Sequence, residues 1–138
     1  MTPVEFAFRE LLAGIAEVPG PGDNPRIGEY LATVGLGPDD ETAWCSAFAN
    51  WCHQQAGVAG SGAPNARSWM HWGLPAAEPR LGDVVVLWRG SLTGWEGHVG
   101  FWAGGGLGAV LILGGNQGDR VSIAAYSRER VLGYRRAA

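Results

Sequence analysis

A change of hydrophobic period divides this chain near Gly82. Before it, apolar residues recur at helical spacing; after it, short β-rich runs alternate with Gly, Ser, Asp and Arg. Helices followed by strands predict an α+β fold in which N-terminal helices pack on an antiparallel sheet of about five strands. At 138 residues, 46% hydrophobic and 17% charged, with no internal repeat and no polar linker, residues 1–138 are expected to form one domain.

Val4, Phe8, Leu11, Leu12 and Ile15 predict an amphipathic helix from residue 3 to about 18, with that stripe against the core. Pro19-Gly20-Pro21-Gly22-Asp23 breaks it. Asn24 then offers an N-cap and Pro25 a first helical residue, opening a short helix that carries Ile27, Tyr30, Leu31 and Val34. Thr42 is the expected cap of a third helix that opens almost at Cys45 and stops near Gly57. A short helical piece is expected near 66–72, and strands near 84–88, 99–102, 110–113, 121–124 and 131–134.

The formal charge is −3 and all ten basic residues are arginine, so no broad basic face attracts a polyanion and nucleic acid is not an expected partner. Glu5, Arg9 and Glu10 interrupt the apolar residues of the N-terminal segment, which therefore lacks the core of a secretory signal. No stretch approaches the roughly 20 apolar residues of a membrane span. Synthesis in the cytoplasm without a signal peptide is the expectation.

Cys45 and Cys52 stand seven positions apart on one predicted helix, about 10 Å along its axis, too far for a disulfide. Cys45 falls in the first turn, where free N–H groups and the helix dipole favour a thiolate; Cys52 falls among Phe48, Trp51 and Ala56. His53 is expected at the surface, and His71 to pack or line a groove. His98 begins a strand, and a hairpin symmetric about a loop from 103 to 108 sets it opposite Asn116, close enough for an amide-to-imidazole bond. Thiol, imidazole and amide together make a thiol hydrolase, with backbone N–H groups near Cys45 for the oxyanion. Spacing alone leaves a purely structural His98 and Asn116 equally open.

The cysteines and histidines lack zinc spacing. Asp39, Asp40 and Glu41 lack the EF-hand pattern and read more simply as an acidic helix start, so no metal or cofactor is expected. Tryptophans near loops are candidate walls for a glycan or peptide; Trp44, Ser46, Trp72 and Trp95 are the candidate substrate contacts.

Asp40 to Phe48, Gly82-Asp83-Val84-Val85-Val86, Gly97-His98-Val99-Gly100-Phe101 and Gly114-Gly115-Asn116-Gln117 resemble the NlpC-type and CHAP-type cell-wall peptidases. The opening Pro21-Gly22-Asp23-Asn24-Pro25-Arg26 is similar to that of a CHAP-like subgroup of bacterial and phage proteins. The resemblance implies a papain-like fold, peptidoglycan as substrate, and hydrolysis of a stem-peptide amide bond by an endopeptidase or N-acetylmuramoyl-L-alanine amidase. Cys45 and His98 match the family's reacting pair and Asn116 its third position. Many CHAP enzymes carry a glutamate two residues before that asparagine; this chain has Gly114. The compact form resembles a phage endolysin that acts on the wall after release, and an injected interbacterial toxin would look similar. The rival expectation is a non-catalytic wall-binding or phage structural module on the same fold, which would bind sacculi without cutting them.

Overall fold

The computed structural model describes all 138 residues. Helix α1 spans Pro3–Ala13, α2 Pro25–Ala32 and α3 Cys45–Gln55; a 3-10 turn covers Ala66–His71. Strands follow: β1 Leu74–Ala76, β2 Val84–Trp88, β3 Gly97–Gly106, β4 Ala109–Gly114, β5 Ser122–Ser127 and β6 Val131–Arg136. They form one antiparallel sheet in the order β1-β6-β2-β3-β4-β5. The fold is α+β as expected, with six strands, because the short β1 pairs with the chain's last strand.

Local chemistry accounts for the helix ends. Thr2 and Glu5 close a capping box on α1, and Gly14, left-handed at φ 71°, stops it earlier than its apolar pattern suggested. The buried stripe of α1 is Val4, Ala7 and Glu10, whereas Leu12 is 87% exposed. Glu10 is tolerated inside because Tyr30 Oη donates to it at 2.6 Å and the Arg26 guanidinium lies 3.1 Å away. Asn24 caps α2 through Arg26 N–H, with Pro25 at the first helical position. Thr42 does not cap α3: the residue before it is Trp44, and no side chain caps that end.

Alternation along β2 divides the core. Val84 and Val86 join Val99, Phe101 and Leu113 against the helices, while Val85 and Leu87 pack with Val110 and Ile112 on the other face. The register of β2 and β3 sets His98 opposite Leu87. The β3–β4 hairpin is tighter than expected. It turns at Leu107–Gly108, and a bulge at Ala103 absorbs one residue.

Candidate active site

Cys45 is the first residue of α3 and is buried. The first backbone bond of the helix runs from Phe48 N–H to Trp44 C=O, so the N–H groups of Cys45, Ser46 and Ala47 have no helical acceptor. His98 lies beside the thiol at the start of β3. Burial pushes the Cys45 thiol up, but the neighbouring imidazole and the N–H groups of Val99 and Ser46 more than offset this, leaving it below its usual range. For His98 burial acts downward, and the bonds to Cys45 and Gln117 outweigh it and raise the imidazole. Both shifts favour a thiolate–imidazolium pair.

Gln117 holds the ring. Its Nε2 donates to Ile112 C=O at 3.1 Å, Ser122 C=O at 2.8 Å and Ser122 Oγ at 3.2 Å. Two carbonyl partners require the amide nitrogen on that side, so Oε1 is the atom 2.8 Å from His98 Nε2. Nε2 must then carry the hydrogen, and Nδ1 is the nitrogen left to share the thiol proton. Tyr126 adds its hydroxyl 3.3 Å from the same Nε2 and lays its ring against the imidazole, with centroids 5.2 Å apart.

This arrangement corrects the third role. Asn116 stands in a left-handed turn at φ 59°, and the amide bonded to His98 belongs to the next residue, Gln117. A sequence signal existed in Gly114, where the glutamate of related enzymes is missing. A Cβ built on Gly114 would lie 2.8 Å from Gln117 Oε1, so the glycine leaves room for the glutamine amide.

The four candidate substrate contacts separate. Trp44 is fully buried, its Nε1 donating to Glu17 at 3.0 Å, and Ser46 is fully buried, its hydroxyl donating to Ala63 C=O at 2.7 Å. Neither side chain reaches a substrate; Ser46 acts through its backbone. Trp72 donates to Ala59 C=O and lines, with His53, a cavity of about 320 Å³ beside Gly82 and Asp83. That is the far end of β2 from His98, and neither Cys45 nor His98 lines the cavity. Trp95 alone of the four is exposed, at 78%, on the loop that leads into β3, three residues before His98. The Arg67 guanidinium fixes this loop by donating to the carbonyls of Ser91, Leu92 and Glu96 at 2.7–2.9 Å. Sequence reasoning missed Arg67, Gln117 and Tyr126.

The other histidines do not compete. His53 is buried, contrary to expectation, packed against Trp69, Trp72 and Phe101 with Nδ1 2.8 Å from Ala49 C=O. His71 is exposed. Cys52 is a free thiol that burial pushes well above its usual range.

The profile of the CHAP domain matches residues 37–116, more than half of the chain and the segment that carries both Cys45 and His98. The chain belongs to the CHAP-domain family. Domains of this family are typically cysteine- and histidine-dependent peptidoglycan hydrolases. The match to the CHAP profile ends one residue before Gln117. Among solved structures the CHAP fold seen here is similar to a protein described as similar to lipoprotein, NLP/P60 family, from Staphylococcus aureus subsp. aureus Mu50. The TM-score is 0.54 at 15% identity, over 99% of this chain and 42% of the other, so the chain spans less than half that protein's length. No match was found among curated proteins. No helix is long and apolar enough to cross a membrane.

Proposed function

We propose that this CHAP domain hydrolyses an amide bond of the peptidoglycan stem peptide, as an endopeptidase or N-acetylmuramoyl-L-alanine amidase of the endolysin type, acting on the wall after release or injection. The observation that carries the reading is the chain of contacts from Cys45 through His98 to Gln117. The Cys45 thiolate adds to the amide carbonyl carbon, and N–H groups at the start of α3 receive the oxyanion. The His98 imidazolium protonates the leaving amine, the C–N bond breaks and a thioester remains. Water gives its proton to His98 as it adds to the thioester, and the thiolate departs to leave the carboxylate product. Trp95, exposed three residues before His98, offers an aromatic face on which a sugar or peptide can stack.

The test is release of soluble fragments from purified peptidoglycan by wild type and Cys45→Ala, both checked for folding, with mass analysis of the products. Loss of activity with the thiol supports the reading, and the fragments identify the bond: a freed lactyl carboxylate on muramic acid marks the amidase, while new peptide ends with the lactyl amide intact mark the endopeptidase. Equal lysis by both proteins, or binding to sacculi by both without release of fragments, would overturn it; the second result is that of a wall-binding module.

A further inference from the structure

Two arginines gather at the His98 end of the sheet with no acid to balance them. The register puts Leu87 of β2 between His98 on β3 and Val131 on β6. Arg89 follows Leu87 by two residues and Arg130 directly precedes Val131. Arg130 Nε donates to Trp88 C=O at 3.2 Å, which holds its guanidinium carbon 5.6 Å from the centre of the Tyr126 ring. The same ring lies against the His98 imidazole, and its hydroxyl is 3.3 Å from His98 Nε2.

Neither arginine enters an ion pair. Those of the protein join Arg26 to Glu10 and Glu29, and Arg136 to Asp83. Glu96, at the far end of the loop that Arg89 opens, and Glu129, beside Arg130 in sequence, pair with neither. Uncompensated positive charge here works against the mechanism, because a cation near a histidine disfavours its imidazolium. Burial and, more weakly, the Arg89 charge both act downward on His98, against the bonds to Cys45 and Gln117. On Tyr126, burial acts upward while the charges of Arg130 and Arg89 act downward, so one neighbourhood feels both guanidiniums. An anion that arrives with the substrate removes the conflict.

We infer that Arg89 and Arg130 form a subsite for a free carboxylate of the substrate, and that the amide bond cut is one flanked by such a carboxylate. The inference rests on the hydrolase reading above. A carboxylate held here accepts N–H groups from the guanidiniums, and its charge cancels theirs while His98 carries the proton for the leaving amine. Both arginines select and place the substrate; no bond forms or breaks at them.

Two measurements test this. In the first, stem-peptide fragments are prepared with each free carboxylate in turn as the acid or as the primary amide, and kcat/KM is measured for wild type, Arg89→Gln, Arg130→Gln and Arg130→Lys. Wild type should prefer one acid over its amide by at least about tenfold, mostly through KM, as a lost charge-assisted hydrogen bond requires. The preference should shrink to within about threefold in the two Gln variants and survive in part in Arg130→Lys. A variant that only loosened the fold would slow acid and amide alike. The second measurement needs no hydrolysis: Cys45 is alkylated by anionic iodoacetate and by neutral iodoacetamide. The ratio of the two rates should fall at least about threefold in each Gln variant, and in wild type it should fall as salt is added. Acid and amide fragments cut equally well would overturn the inference and leave the hydrolase standing. An alkylation ratio unchanged in both Gln variants would overturn it whether or not any fragment is cut. No cutting of any fragment by folded wild type would sink the hydrolase reading, and the alkylation ratio alone would then decide whether the two arginines hold an anion beside Cys45.

Discussion

Gln117 and Asn116 make opposite predictions from adjacent positions. Gln117→Ala removes the Oε1 contact to His98 and the three bonds to Ile112 and Ser122. At about 1 kcal/mol per hydrogen bond, offset in part by rehydration near Ser122, the loss is about 2–4 kcal/mol of stability. The chemical loss is larger in consequence. Without the amide oxygen only the 3.3 Å contact with Tyr126 remains to hold hydrogen on Nε2, and the ring is free to present the wrong tautomer to Cys45. Misplacing a general base costs about 10²–10⁴-fold, so kcat/KM on peptidoglycan fragments should fall at least about a hundredfold. Asn116→Gly suits the left-handed backbone, removes the neighbouring amide, and should leave kcat/KM within about a factor of three.

A second readout needs no substrate. Alkylation of Cys45 by iodoacetamide follows its thiolate, and Cys52 does not compete because burial raises its thiol. The imidazolium is among the groups that lower the Cys45 pKa, and the bond to Gln117 helps to hold His98 charged. In Gln117→Ala the His98 pKa therefore falls, the Cys45 pKa rises, and the pH window of the ion pair narrows from both sides. An unchanged alkylation profile in Gln117→Ala, or a loss in Asn116→Gly as large as in Gln117→Ala, would refute the assignment.

Two further outcomes follow from packing. Burial lowers the His53 pKa, so below about pH 6.5 the unfolded chain takes up a proton that the folded chain does not. Stability should fall there by up to about 1.4 kcal/mol per pH unit, and His53→Phe should flatten that limb of a urea-denaturation series run from pH 7 to 4.5. A Cβ on Gly115 would lie 2.6 Å from the Trp44 ring and 2.8 Å from Phe48 Cβ, so Gly115→Ala should cost about 1–3 kcal/mol by the same denaturation assay.

The parts of the molecule legible in its sequence are those decided by short-range chemistry. Asn24-Pro25 marks the start of α2, and the position of Cys45 at the opening of α3 follows from where the helical period begins, although no side chain caps that end. The fold class follows from the change of period near Gly82. What could not be read depends on contacts distant in sequence. His53 is buried because Trp69 and Trp72 return across it, and Glu10 because Tyr30 reaches it from another helix.

The orienting amide shows the difference most sharply. Pairing His98 with Asn116 assumes a hairpin without irregularity. The bulge at Ala103 and the left-handed turn at Asn116 break that symmetry, and the side chain that meets His98 is Gln117, anchored on carbonyls of the β4 strand and the start of β5. Gly114 looked in isolation like a lost carboxylate. Beside Gln117 it becomes the clearance that lets an amide approach His98, so one glycine both removes the expected orienting group and makes room for its replacement.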